Sequence, residues 1–289
     1  MNNYSEWSTL PYAGETKPPT NPVDPQAGSW STYYFHNSGN GTFRNLNGYF
    51  IDWNLLDPAS IDFNMQLKIV QRVLRNITRK QIVTANYWGT GVATKQWTPI
   101  IDRLIDAYDV TPTRAARILA AVHAGISDTF CIAWHFKYLY NVARPNQLDH
   151  NLATILCTPR FPAYPSGHAA ISGCAETVLR YFFPAKADRL RKLAEENAHS
   201  RLLAGVHFPI DNEQGLRLGR QIGDLVVNAL RNEQNSDFQP IDVPFSKKNP
   251  VKLLSPPYKQ ALPYVYEGKP GSICGCTSKL SPKVCKRKR

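Results

Sequence analysis

Two arginines, one lysine, two histidines and an aspartate stand in three short stretches of this chain, and each stretch carries part of what an oxyanion site needs. In "KYLYNVARP", Lys137 and Arg144 are seven residues apart. On an unbroken helix that spacing returns both to nearly one face, ~10 Å apart along the axis. Two cations there, with no acid between them, could clamp opposite sides of one anion, or could form a solvated basic stripe. The flanks "FCIAWHF" and "YLYNV" are apolar and favour a buried helix, where cations need an anionic partner.

The second stretch is "RFPAYPSGHAAISG". Ser166 is a good N-cap for the small-residue helical run that follows, and a helix start offers free N–H groups and the positive end of the helix dipole. Gly167 allows a close backbone approach, and His168 falls in the first turn. Alone, Pro-Ser-Gly-His is an ordinary helix start. The third stretch, "HSRLLAGVHFPIDNEQG", places Arg201 six residues before His207 and Asp211 four after it. Asp211 with Gln214 reads as a capping pair for the next helix. Asp211 could also hold one nitrogen of His207 so that the other faces a reactant. Together the stretches fit a tetrahedral or trigonal-bipyramidal oxyanion. Cations and N–H donors would hold equatorial oxygens, one histidine would sit on the axis, and the other would move a proton at the opposite oxygen.

The elements that must position these residues read as helices. Apolar residues recur at three- and four-residue intervals from Asp62 through "NYWG", predicting one helix there. A second covers "TKQWTPIIDRLIDAYDV". A long third runs from Thr111, its cap, to Pro145, its stop. A fourth spans Ser166 to about Phe183, a fifth "AKADRLRKLAEENAHSRLLAG", and a sixth "NEQGLRLGRQIGDLVVNALRNEQ". The fold class expected is an all-α bundle. Residues 1–60 form a loop-rich arm with short strands near "STYYFHN" and "NGYFIDW". Residues 61–234 form the helical catalytic domain, and 235–289 a Pro-rich extension with a Cys/Lys-rich tail.

Composition narrows the partners. The formal net charge is +12, but the last eleven residues carry six basic groups and no acid. The remaining excess is unremarkable, and no recognised motif supports nucleic-acid binding. No stretch approaches the ~20 apolar residues of a membrane span, and the N-terminus lacks the pattern of a secretory signal. A cytoplasmic or otherwise intracellular setting is expected. Cys131, Cys157 and Cys174 lie in apolar surroundings and are expected to pack as small hydrophobes. Cys274, Cys276 and Cys285 fall in the basic tail, where a reduced exposed tail, metal binding and intermolecular disulfides all stay open.

The three stretches, read as K-x₆-RP, PSGH and SR-x₅-H-x₃-D, resemble the signature of the type-2 phosphatidic acid phosphatase and vanadium-dependent haloperoxidase superfamily, from about Thr84 to Asn232. Trp134 to Pro145, Thr158 to His168 and "GVHFPIDNEQGLRLGRQIG" resemble the soluble haloperoxidase branch most. The resemblance implies the helical bundle of that superfamily. It implies that Lys137, Arg144, Ser166, Gly167 and Arg201 bind vanadate or phosphate. His207 would be the axial ligand of vanadium or the phosphorylated nucleophile, His168 the acid-base, and Asp211 the residue that orients His207. Pro209 is expected to end the preceding helix and free the His207 ring. Phe161 and Trp134 would line the halide or substrate pocket, with Phe161 resembling chloroperoxidases more than bromoperoxidases. A homodimer is the assembly common among soluble relatives.

Two enzymatic functions follow. A vanadate-dependent haloperoxidase would oxidise halide with hydrogen peroxide. A phosphomonoester phosphatase would work through a phosphohistidine and require no cofactor. Either takes a small anionic substrate. A non-enzymatic alternative is a structural protein cross-linked through its tail. It is disfavoured because no charged residue of the pattern is lost, and such residues are costly when buried without function.

Overall fold

The computed structural model describes residues 3–253. Among them are eight α-helices and one short hairpin: β1 (Phe35–Asn37), β2 (Phe43–Asn45), α1 (Phe63–Arg75), α2 (Arg79–Gly89), α3 (Thr98–Ala107), α4 (Pro112–Tyr140), α5 (Pro145–Leu148), α6 (Gly167–Phe182), α7 (Ala187–Leu203) and α8 (Pro209–Arg231). The all-α expectation holds. The strands pair antiparallel, Phe35 opposite Asn45. The first lies within the expected stretch, while the second lies before the expected one.

Local chemistry explains where the helices depart from the sequence periodicity. The run from Asp62 is two helices, not one. Asp62 caps α1 by accepting from the Asn64 and Met65 amides, each at 3.0 Å. Thr78 then opens α2 with a capping box: its amide donates to Gln81 Oε1 at 2.9 Å and its hydroxyl accepts from the Gln81 amide at 3.3 Å. That reciprocal pair ends one helix and starts another although the apolar spacing continues. The second expected helix divides into a 3-10 turn (Ala93–Gln96) and α3. Thr111 precedes α4 but makes no side-chain cap bond.

The long helix also stops early. Asn141 takes left-handed dihedrals (φ 53°, ψ 34°) and its N–H closes on the Lys137 carbonyl, ending α4 at Tyr140. Asparagine is among the few residues that enter this region readily. Lys137 is therefore on α4, but Arg144 lies beyond it as the N-cap of α5, and the shared helix face expected from the spacing does not exist. Pro209 is likewise not a terminator. It is the first residue of α8, and α7 has already ended at Leu203.

The core is built around α6, which packs most extensively on α8 and then on α4 and α7. Ala170, Ile171, Cys174 and Val178 meet Leu218, Ile222 and Val226 in one buried cluster. Glycine sets the spacing between α6 and α8. A Cβ on Gly219 would lie 1.8 Å from the Ala170 carbonyl oxygen, and one on Gly215 would lie 2.6 Å from that of Ser166. The two backbones are in contact, so neither position has room for a side chain.

By length and composition α4 could cross a membrane: its most apolar window has a mean hydropathy of 1.3. This differs from the expectation that no segment would qualify. Half of that window is buried within the protein, where α4 packs on α6 and α8. Cys131 and Cys174 are free and buried. Cys157 departs from the expected packing role because it is disulfide-bonded. The expectations for Cys274, Cys276 and Cys285 fall outside the described residues.

The N-terminal arm is tied to the helices rather than loose. The Asp128 carboxylate on α4 accepts from the Tyr33 and Tyr34 amides at 2.8–3.0 Å. Further back, Trp7 N donates to Asn141 O at 2.7 Å, Ala13 N to Asn146 O at 2.9 Å and Val23 N to Arg160 O at 2.9 Å. The arm thus runs along the segment that joins α4 to α6.

Replacing Gly219 by alanine is expected to force α6 and α8 apart, at about 3 kcal/mol or more of overpacking strain. A thermal melt should show a fall of about 6 °C or more, given ~2–4 °C per kcal/mol for a chain of this size. An unchanged melting temperature would mean that the helices do not approach this closely.

Candidate active site

The segment between α4 and α6 folds back over the end of α4, and its carbonyl groups hold the first two cations. Lys137 Nζ donates to the Pro162 and Ala163 carbonyls, both at 2.9 Å. Arg144 donates through Nε to the Phe161 carbonyl at 3.0 Å and through Nη1 to the Val206 carbonyl at 2.7 Å. Both residues are fully buried. The Phe161 ring lies under them, 5.1 Å from Lys137 Nζ and 4.9 Å from the Arg144 guanidinium, and packs 4.7 Å from Trp134. Trp134 in turn touches the place where a Gly167 side chain would begin, 3.3 Å away. The aromatic pair expected to line the pocket is thus against the cations and the start of α6.

Arg201 enters from α7. It donates to Ser200 Oγ and to the Ala85 carbonyl, each at 3.0 Å, and packs against Gly89 at the end of α2. Among the described residues no carboxylate forms an ion pair with Lys137, Arg144 or Arg201. Burial holds all three below their ordinary basicity, Arg144 at about 10 and Arg201 at about 9, while Lys137 is further depressed by Arg144. Polar atoms remain unused: Arg144 Nη2 and His168 Nε2 are buried without a hydrogen-bond partner.

The two histidines are set by different devices. His207 Nδ1 lies 2.9 Å from Asp211 Oδ2, and the same carboxylate oxygen accepts from the Phe208 amide at 3.0 Å. Asp211 is the third residue of α8, so it caps the helix it belongs to while holding the ring. Gln214 takes no part in this cap; its Oε1 accepts from the Leu56 amide at 3.1 Å. With Nδ1–H donating to Asp211 Oδ2, His207 Nε2 carries a lone pair, and Arg144 Nη1 lies 3.0 Å from it. The backbone of Trp88 accepts a hydrogen bond from the His168 ring, which leaves Nε2 as the nitrogen without a partner. Burial, joined by the nearby cations, holds both imidazoles well below their ordinary value. Burial also pushes Asp211 up, to about 7, against the opposing pull of Phe208 N–H, Lys137 and Arg144.

Ser166 is the N-cap of α6, as expected, accepting from the Ala169 amide at 3.5 Å. Its own amide donates to the Asp211 carbonyl at 2.9 Å, which ties the start of α6 to the start of α8. Lys137, Arg144, His168 and Arg201 all act electrostatically on His207. The structure therefore brings together residues from α4, α5, α6, α7 and α8. Two surface cavities, about 570 and 520 Å³, lie elsewhere and are lined by none of these side chains. Sequence reasoning missed the carbonyls of Phe161, Pro162, Ala163, Val206 and Trp88. Main-chain groups leave no side-chain signal, and only the density of prolines around Phe161 hints at a shaped loop.

Known proteins share parts of this sequence and this fold. Residues 116–234, which contain all of these site side chains but not the α2 backbone groups at Ala85 and Trp88, match the model of the PAP2 superfamily. A vanadium-dependent bromoperoxidase of Corallina pilulifera is 31% identical over 110 residues, covering 28% of this chain and 18% of that protein. The chain thus spans about a fifth of the length of the curated relatives it matches. A bacterial vanadium-dependent chloroperoxidase superposes with a TM-score of 0.61 at 14% identity, covering 79% of this chain and 62% of the other. A bacterial vanadium-dependent iodoperoxidase gives 0.54 at 23% identity, covering 62% and 54%. Across residues 116–234 the chain is thus similar to the PAP2 superfamily, and its fold is shared with the solved haloperoxidases.

Proposed function

We propose that this chain is a vanadate-dependent haloperoxidase-like enzyme, oxidising halide with hydrogen peroxide. The observation that carries the reading is three buried cations without a carboxylate partner, beside a histidine whose lone pair faces them. An unpaired charge in a protein interior costs several kcal/mol, and a multiply charged oxyanion is the ligand that would offset three. The unused Arg144 Nη2 and His168 Nε2 fit the oxygens of such a group. Lys137, Arg144, Arg201 and the α6 start at Ser166 and Gly167 would hold vanadate, with His207 Nε2 as its protein ligand. Bound there, vanadate supplies a Lewis acid that activates peroxide without changing its own oxidation state.

The protein's own residues do the rest. Asp211 accepts the Nδ1–H of His207 and so presents the Nε2 lone pair to the anion. His168 Nε2 accepts and returns a proton within the pocket. Trp134 and Phe161 exclude water and give halide an apolar wall. The closure of the site suits peroxide and halide, which are small. A second reading, a phosphomonoesterase, is favoured by the same His207–Asp211 pair. His207 Nε2 would attack phosphorus, the departing ester oxygen would take a proton from His168, and water would release phosphate from the histidine.

Protein loaded with orthovanadate should halogenate a dimedone reagent in peroxide and bromide, and the unloaded form should be assayed on p-nitrophenyl phosphate. Turnover of the ester alone would replace the first reading by the second. His207→Ala is expected to lower either activity by about a hundredfold or more with unchanged circular dichroism. Full activity in that variant would remove His207 from the chemistry.

Linkage predicts the pH response of the anion-free protein. Below 6.5, the ordinary imidazole value, the unfolded chain takes up two protons on His168 and His207 that the fold resists. The fold keeps one proton on Asp211, held up at about 7, that the unfolded chain binds only near 3.8. The unfolded chain's lead grows from near zero at pH 6.5 to about one proton near pH 5, so the site's stability falls over that window with a slope that rises toward ~1.4 kcal/mol per unit. His168→Asn should flatten this slope in urea titrations. Parallel slopes in variant and parent would show that His168 is not held neutral.

A further inference from the structure

Gln147 is among the most completely bonded side chains of the protein, and the mechanism above makes no use of it. It is buried at 1% exposure. Its Oε1 accepts the Arg144 amide at 2.8 Å. Its Nε2 donates to two carbonyls of the N-terminal arm, Trp7 at 2.8 Å and Leu10 at 2.6 Å. One acceptor and two donors are satisfied at once, so the amide has one orientation: reversed, it would set N–H against N–H and oxygen against two oxygens.

Both ends of this bridge are anchored. On the arm side, Trp7 is buried, its amide donates to Asn141 O at 2.7 Å, and its Nε1 donates to Tyr12 Oη. Tyr12 Oη donates to the Pro159 carbonyl at 2.7 Å. On the site side, among the described residues the Arg144 side chain makes three polar contacts, with Phe161 O, Val206 O and His207 Nε2. It lies outside α4, after the left-handed turn at Asn141, so the α4 ladder does not place its backbone. The bond to Gln147 and the one-turn helix α5 are what fix where its side chain begins.

We propose that Gln147 is a positioning residue for Arg144, and that the N-terminal arm is thereby part of the anion site. The arm supplies two carbonyls, Gln147 converts them into a fixed amide oxygen, and that oxygen sets the Arg144 backbone so that Nη1 and Nη2 face His207 and the bound oxyanion. The inference rests on the anion-binding reading above and adds a residue to it. Gln147→Leu keeps the volume and removes all three hydrogen bonds. Gln147→Glu keeps the shape but turns a carboxylate oxygen toward two carbonyls, a conflict that protonation of the glutamate relieves.

The test is calorimetric titration of the full-length protein with inorganic phosphate and with orthovanadate, well below the melting temperature of each variant. Gln147→Leu should bind about tenfold more weakly, the equivalent of one lost hydrogen bond. In an Arg144→Ala background the same substitution should change the dissociation constant by less than about twofold, because its effect passes through Arg144. Gln147→Glu should be weak at neutral pH and recover part of its affinity, relative to the parent, on acidification. Equal binding by parent and Gln147→Leu, or an undiminished effect without Arg144, would overturn the proposal, as would a failure of both Gln147 variants to fold, which would make the residue structural. A parent protein that binds neither anion would remove the anion-site reading and this inference together. Binding by the parent that is indifferent to Gln147 removes the inference alone.

Discussion

Three positive side chains buried in one neighbourhood repel one another, and the surrounding structure exists to hold them there. Backbone carbonyls do this. Pro162 and Ala163 take Lys137, Phe161 and Val206 take Arg144, and Ala85 takes Arg201. Carbonyl oxygens solvate a cation without neutralising it, so the pocket stays positive. A carboxylate in the same place would form an ion pair and leave nothing for a ligand. The one carboxylate present, Asp211, is turned toward His207 and the Phe208 amide, and it tunes the imidazole rather than quenching the cations.

Carbonyls can point inward where the chain is not helical or, as at Ala85 and Trp88 of α2, close to a helix C-terminus. That explains why the loop between α5 and α6 is rich in proline, which has no N–H to satisfy, and why α4 stops at Asn141. It also explains the small-residue face between α6 and α8. The contact at Gly215 and Gly219 lets the Ser166 amide reach the Asp211 carbonyl, so the helix start that offers N–H groups and the helix that orients His207 form one unit. Packing in the core thereby sets the distance between the α6 start and the His207–Asp211 pair.

Much of the site was legible in the sequence because its side chains are chemically distinctive and fall in ordered short stretches. Lys137, Arg144, His168, Arg201, His207 and Asp211 come together in the structure, and the helical class was readable from apolar spacing. What escaped was decided by local backbone competition. The left-handed turn at Asn141 moved Arg144 off the helix on which its spacing from Lys137 had placed it. The Thr78–Gln81 capping box was present in the sequence, yet continuous apolar periodicity hid it. Pairing Asp211 with Gln214 takes Asp211 as the N-cap, whereas it is the third residue of α8 and its carboxylate reaches back to the amide of the true N-cap, Phe208, a residue with no capping side chain. The arm was read as irregular, which it is, but irregular chain can be as firmly bonded as helix when its carbonyls meet buried donors such as Gln147 and Trp134.

The cationic cage itself does not distinguish vanadate from phosphate, since both present the same charge and shape to Lys137, Arg144 and Arg201. What separates halide oxidation from ester hydrolysis must lie at the edge of the cage. There the Trp134–Phe161 pair lies directly against Lys137 and Arg144, leaving an apolar face where a phosphate ester would need room for its alcohol. Trp134 is held by the Val23 carbonyl of the arm at 3.1 Å, and Tyr138 by the same oxygen at 2.7 Å. The arm therefore braces the aromatic wall as it braces the Arg144 backbone. On the proposed reading, selectivity would follow from how tightly a non-helical segment is tied to two helix ends, more than from the buried cations themselves.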